Sequence, residues 1–144
     1  MNLYNDIIQS YCKALLTNDY PGIISLFAKD AKVFSFIAGE KPAPEFFQNL
    51  FKTSRRTKVE LKNLFIGLEN KPIVAAHIDY KSVRDEKFLY QLEVVDIFEF
   101  NSENKITSLR IILDTYPLRK LQAVSIIIQA IKAQAPLLSK LLLP

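Results

Sequence analysis

The residue most able to do chemistry in this sequence is Asp96. It stands in residues 88–100, which read Phe-Leu-Tyr-Gln-Leu-Glu-Val-Val-Asp-Ile-Phe-Glu-Phe. Side chains alternate between the two faces of a β-strand. One face of this run carries Tyr90, Leu92, Val94, Asp96, Phe98 and Phe100, so Asp96 is the only charged group on an apolar face. Burying an unpaired carboxylate is costly, and the usual escape is a raised pKa. The carboxyl must therefore be paired, protonated or close to an opening. Tyr11 is the second candidate. It lies on an apolar helical stripe, where its hydroxyl either meets a backbone partner or donates into a cavity.

Other chemistries are excluded by residue supply. One histidine (His77) and one cysteine (Cys12) cannot build an ordinary His/Cys metal site or an oriented Cys-His nucleophile. With 3 glycines and no phosphate-cradling motif, no nucleotide fingerprint is present. The net charge of +4 is mild, and nucleic acid is not expected as a partner. The basic cluster Lys52, Arg55, Arg56 and Lys58 reads as a solvated helix end and turn. His77 and Asp79 share a strand face and read as an ordinary surface pair. A single cysteine fits a reducing compartment, and residues 1–6 show no leader pattern, so a cytoplasmic protein is expected.

The elements that must position Asp96 and Tyr11 follow from periodicity. In residues 3–17, Tyr4, Ile7, Ile8, Tyr11, Cys12, Leu15 and Leu16 recur at helical spacing. Pro21 suits the first turn of a short second helix reaching Phe27. Residues 28–31 read as a turn, 32–37 as a strand and 39–42 as a loop. Residues 44–54 form a third helix with Phe46, Phe47, Leu50 and Phe51 buried. Four long strands then follow, over 57–68, 73–83, 88–100 and 106–116, joined by polar turns. Helices early and meandering strands late make an α+β layout, an antiparallel sheet covered on one face by helices. With 144 residues, 49% hydrophobic and 24% charged, one such domain can bury a real core.

Residues 117–144 stand apart. Leu121, Val124, Ile127, Ile128, Ile131, Ala135, Leu138 and Leu142 share one helical face, and Ser125, Gln129, Lys132, Ser139 and Lys140 share another. The polar face and Pro136 argue against a membrane span. An amphipathic helical tail is expected, packed on residues 1–116 or on a partner copy.

These features resemble the nuclear transport factor 2-like superfamily, which includes ketosteroid isomerases and SnoaL-like polyketide cyclases. The residues that carry the likeness are 11–19, then Gly22-Ile23-Ile24-Ser25-Leu26-Phe27-Ala28-Lys29-Asp30-Ala31-Lys32-Val33, then Val95-Asp96-Ile97-Phe98-Glu99-Phe100 with Lys105, Ile106 and Arg110. The resemblance covers about residues 5–116. It implies a cone-shaped curved sheet around a hydrophobic pocket, with the N-terminal helices on its concave face, and a homodimer. Pocket walls are expected from Val33, Ser35, Phe47, Phe51, Tyr80, Val94, Phe98 and Ile111.

It also implies roles. Ketosteroid isomerases hold a substrate oxygen between a helix tyrosine and a protonated aspartic acid, and Tyr11 and Asp96 match those positions. The isomerase base is an aspartate, and the matching position here is Ser35. SnoaL-like cyclases place an acid/base aspartate near the end of the last strand, where Asp114 stands. If Leu109, Ile111 and Leu113 face the pocket, Asp114 faces away unless a bulge re-aims it. Glu40, near the expected pocket mouth, is a further candidate base.

Two functions compete on this reading. The first is an isomerase- or cyclase-type enzyme, without metal or organic cofactor, moving a proton in a small hydrophobic carbonyl compound. The second is a non-catalytic ligand-binding or dimeric interaction module of the same fold.

Overall fold

The computed structural model describes residues 2–36, 38–68, 70–120, 126, 127, 130 and 131. The chain divides into two compact units, Met1–Asp114 and Thr115–Pro144.

The first unit opens with helix α1 (Leu3–Thr17). Asn2 caps it by accepting from the Tyr4 amide at 3.0 Å. The stripe read from the sequence is its buried face: Ile8, Tyr11, Cys12, Ala14 and Leu15 are all buried. Asn18 ends the helix at φ 51°, a left-handed conformation that asparagine tolerates better than most residues. A short helix α2 (Tyr20–Ile24) follows, with Pro21 in its first turn.

Strands β1 (Phe27–Ser35) and β2 (Gly39–Pro42) come next, then helix α3 (Ala43–Thr53). Residues 28–31 read as a turn in the sequence and 39–42 as a loop, yet both belong to strands. The departure has a visible cause in β1, whose register shifts between Phe27 and Lys32, so no clean alternation marks it. The long strands are β3 (Arg55–Ile66), β4 (Ile73–Arg84), β5 (Lys87–Phe100) and β6 (Ile106–Leu113).

These strands form one sheet in the order β2-β1-β6-β5-β4-β3. Four of its pairings are antiparallel, but β1 and β6 run parallel, so the sheet is mixed rather than antiparallel throughout. The last strand enters between β1 and β5, a long-range choice that local alternation does not encode. Register shifts at Arg56/Lys58 and Leu61/Asn63 in β3, and at Ser82/Val83 and Glu99/Phe100 further across, bend the sheet. It is curved and unclosed, the cone expected of this α+β architecture.

Burial on β5 follows the alternation read from sequence: Leu92, Val94, Asp96, Phe98 and Phe100 are buried, while Gln91, Glu93 and Val95 are exposed. Tyr11 of α1 meets Phe98 edge to face, with centroids 5.0 Å apart, and Phe47 of α3 at 6.3 Å. One tyrosine thus ties two helices to the sheet.

Residues 116–120 of the second unit are helical. Most of the amphipathic tail, including Leu121, Val124, Ile128, Ala135, Leu138 and Leu142, lies outside the described residues. Among the described residues, no helix is long and apolar enough to cross a membrane.

Candidate functional site

Asp96 sits mid-strand on β5, opposite Ala76 of β4 and Ile111 of β6. It is 1% exposed. Its Oδ2 accepts from the Tyr11 hydroxyl at 3.2 Å and from the Tyr80 hydroxyl at 3.1 Å. Among the described residues its Oδ1 is the one buried side-chain polar atom without a hydrogen-bond partner. An unsatisfied buried acceptor is costly, and here it belongs to a residue lining a cavity of about 250 Å³.

Burial pushes the Asp96 pKa up to about 7, with the two tyrosine hydroxyls pulling the other way by stabilising the carboxylate. No ion pair among the described residues includes Asp96. The Tyr11 and Tyr80 hydroxyls are held well above their ordinary pKa, first by burial and then by the Asp96 charge. Near neutral pH they are donors. Cys12, beside Tyr11, has its thiol pushed up to about 12 by burial and the Asp96 charge, so it is no nucleophile there.

The arrangement differs from the one the sequence implies. There, Tyr11 and Asp96 stand side by side, both donating to a ligand. In the structure Tyr11 donates to Asp96, and Tyr80, expected as a wall residue, donates to the same oxygen. Among the described residues nothing hydrogen-bonds to Oδ1.

Of the residues expected around the pocket, Tyr11, Ser35, Tyr80, Val94, Asp96 and Ile111 line the cavity. Val33, Phe47 and Phe98 do not; each is fully buried behind it. Phe47 and Phe98 instead grip the Tyr11 ring. Phe51 is also absent from the wall and lies under the Arg56 guanidinium, 5.4 Å from ring centroid to carbon. Ile111 and Leu113 face the cavity, so parity carries Asp114 away from it, and Asp114 is exposed. Glu40 is exposed on β2, opposite Phe34, and is not part of the wall. Ser35 accepts from the Ala38 amide at 2.9 Å, which holds its hydroxyl at the cavity edge.

Sequence reasoning misses Arg56. It reads as solvated, but it is 3% exposed and lines the cavity. Its Nε donates to the Leu15 carbonyl at 3.1 Å, and its Nη2 donates to Asn18 Oδ1 at 2.9 Å and the Ser54 carbonyl at 3.0 Å. The Leu15 carbonyl is in the last turn of α1, which contains no basic residue of its own, so a strand arginine closes the helix end. Burial lowers the Arg56 pKa from its ordinary value. A strand beginning at Arg55 rather than Thr57, with a register shift just after Arg56, is the signal that turns this side chain inward.

His77 and Asp79 do not pair with each other. His77 meets Asn63 at 3.2 Å, and Asp79 accepts from Lys58 at 2.8 Å. Among the described residues, no group of three or more His, Cys, Asp or Glu could hold a metal ion.

No known protein-family pattern matches the chain, and no curated protein does. Solved structures do. An NTF2-like protein of unknown function from Cytophaga hutchinsonii aligns with TM-score 0.61 at 16% identity, over 82% of this chain and 96% of that one. A candidate polyketide cyclase from Xanthomonas campestris aligns with TM-score 0.65 at 17% identity, over 83% and 93%. An LEH-like epoxide hydrolase from M. tuberculosis aligns with TM-score 0.62 at 17% identity, over 84% and 93%. The chain has the NTF2-like fold. At these identities the likeness is one of fold, and activity must be argued from the site.

Proposed function

We propose that this domain binds a small hydrophobic carbonyl compound in its cavity and that Asp96 carries a proton to and from it. The observation that carries the reading is Asp96 Oδ1: a buried carboxyl oxygen without a hydrogen-bond partner among the described residues, on a residue that lines an apolar cavity. A general acid/base works best with a pKa near the working pH, and burial places Asp96 at about 7.

In the step proposed, ionised Asp96 takes a proton from the carbon next to the carbonyl onto Oδ1. The C–H electron pair moves into the new C=C bond, and the carbonyl π pair moves onto oxygen, giving an enolate. Protonated Asp96 then returns the proton to that carbon or, where a neighbouring C=C makes the intermediate a dienolate, to its far carbon with the double bond shifting into conjugation, so isomerisation needs no second carboxyl. Tyr11 and Tyr80 hold Oδ2 throughout, which fixes the carboxyl plane and leaves Oδ1 to take the proton. They position the base. The apolar wall excludes water that would lower the pKa and quench the enolate.

The test is α-proton exchange. 2-Decalone incubated with the protein in D2O should lose its α-proton NMR signals faster than in buffer, and Asp96→Asn should remove the acceleration. Acceleration that survives Asp96→Asn would sink the proposal.

Asp96 is the only acidic residue lining the cavity among those described. That favours a second reading, in which the same pocket holds the compound without turnover. Saturable binding of 2-decalone with no exchange would select it.

A further inference from the structure

We infer that the cavity has a second polar pole, built by Arg56, Ser82 and Tyr90, which recognises a carboxylate, so that its ligand is a hydrophobic acid. This rests on the reading of the cavity as a ligand site and adds the class of ligand.

The three residues form one row across the sheet. Arg56 of β3 is the register partner of Ser82 of β4, and Ser82 is in turn the partner of Tyr90 of β5. Cross-strand partners share a face, and all three side chains line the cavity. On β5 the row is separated from Asp96 by Leu92 and Val94, both also on the wall. The cavity therefore runs from a carboxyl at one pole, past aliphatic side chains, to a guanidinium at the other.

Arg56 is a cation enclosed without an anion. Among the described residues none of the ion pairs includes it. Its partners are the Leu15 and Ser54 carbonyls, the Asn18 side-chain oxygen and the Ser54 hydroxyl, all uncharged. Closing the end of α1 accounts for Nε and Nη2. It does not account for Nη1, which among the described residues donates only to Ser54 Oγ at 3.4 Å, a long contact. A guanidinium carries five N–H donors in a rigid fork suited to carboxylates. Its desolvation is already incurred on folding, so an arriving carboxylate gains a charge-assisted bond to a preorganised partner. Ser82 and Tyr90, next in the same cross-strand row and on the same wall, supply the hydroxyls that would share the second oxygen.

Lys41 is the rival anion site. It lines the cavity too, but it is half-buried and pairs with Glu45 at 3.6 Å.

The test uses nonanoate against nonanamide, a pair matched in chain and differing in charge, titrated calorimetrically at pH 8. Wild-type protein should bind nonanoate about tenfold tighter or more, the size expected of one charge-assisted hydrogen bond. Arg56→Gln should bring the ratio to about one, and Tyr90→Phe and Ser82→Ala should reduce it, while Lys41→Met leaves it intact. Should Arg56→Gln fail to fold, the Arg56 Nε–H signal in wild-type protein, assigned with Arg56→Lys, must still shift as nonanoate is added. Equal binding of the two probes, no nonanoate binding at about 1 mM, a preference that follows Lys41, or an unmoved Nε–H signal would overturn the inference. Asp96→Asn should keep the carboxylate preference. Absence of α-proton exchange in the wild-type protein, with its carboxylate preference intact, would remove the proton-transfer role and leave the acid site standing.

Discussion

Tyr80 Oη lies 3.1 Å from Asp96 Oδ2, although the two residues are not register partners: Tyr80 pairs with Leu92, and Asp96 pairs with Ala76. The tyrosine reaches along the concave face of a bent sheet. Tyr11 arrives at the same oxygen from a helix. Two converging hydroxyls take one carboxyl oxygen, the other is buried without a hydrogen-bond partner among the described residues, and each part of that geometry has a measurable consequence.

The first concerns stability and pH. The Asp96 pKa is raised on folding from its ordinary value of 3.8 to about 7. The folded state therefore binds this proton more tightly than the unfolded state does. Its contribution is fully present below pH about 4 and is lost as pH rises to about 7. At about 1.4 kcal/mol per pKa unit, the loss is about 4 kcal/mol for this buried group. Asp96→Asn keeps an acceptor for both tyrosines and removes the charge. Denaturant titrations across pH should show wild-type stability falling over that interval and the variant curve flatter, with the Asp96→Asn protein the more stable at pH 8.

The second concerns the tyrosines. Their hydrogen bonds oppose the rise of the Asp96 pKa, and that of Tyr80 is the larger influence. Tyr80→Phe should raise the Asp96 midpoint further, and Tyr11→Phe should raise it less. Carboxyl-carbon NMR reads both shifts. Each change should also cost about 1 kcal/mol, the size of one buried hydrogen bond.

The third concerns Arg56 as a structural element. Arg56→Met removes donors from the Leu15 carbonyl and Asn18 Oδ1 and should cost about 2–3 kcal/mol in urea unfolding. Amide exchange should localise the added opening to the last turn of α1. Arg56→Lys, which keeps the charge but not the fork, should fall between the wild-type and Arg56→Met proteins.

The fourth concerns Asp114. It is exposed and outside the cavity wall. Asp114→Asn should change 2-decalone exchange less than about twofold, the small effect of a side chain away from the reacting atoms. Measured beside Asp96→Asn, it separates the two aspartates.

Much of this is legible in the sequence. Alternation along residues 88–100 puts Asp96 on the buried face, and helical spacing puts Tyr11 on the core stripe. Both readings depend on local periodicity, which strands and helices impose directly. The parity that turns Asp114 outward rests on the same rule. What stays hidden depends on long-range geometry. The parallel pairing of β1 with β6 joins residues far apart in sequence. The meeting of Tyr80 with Asp96 depends on sheet curvature. The inward turn of Arg56 comes at a strand start beside a register shift, where alternation restarts. Phe47 and Phe98 stand one layer behind their expected place, because apolar spacing identifies core residues without separating a cavity wall from the packing behind it.

The most direct measurement is a carboxyl-carbon NMR titration of aspartate-labelled protein from about pH 3 to about pH 9, a span that brackets the ordinary and the raised carboxyl ranges, with Asp96→Asn as the assignment control. One aspartate signal, absent from the variant, should titrate with its midpoint near pH 7. A midpoint for Asp96 at or below the ordinary aspartate value, about 3.9, would mean that water or a cation reaches the carboxyl, and the proton-carrying role would be contradicted.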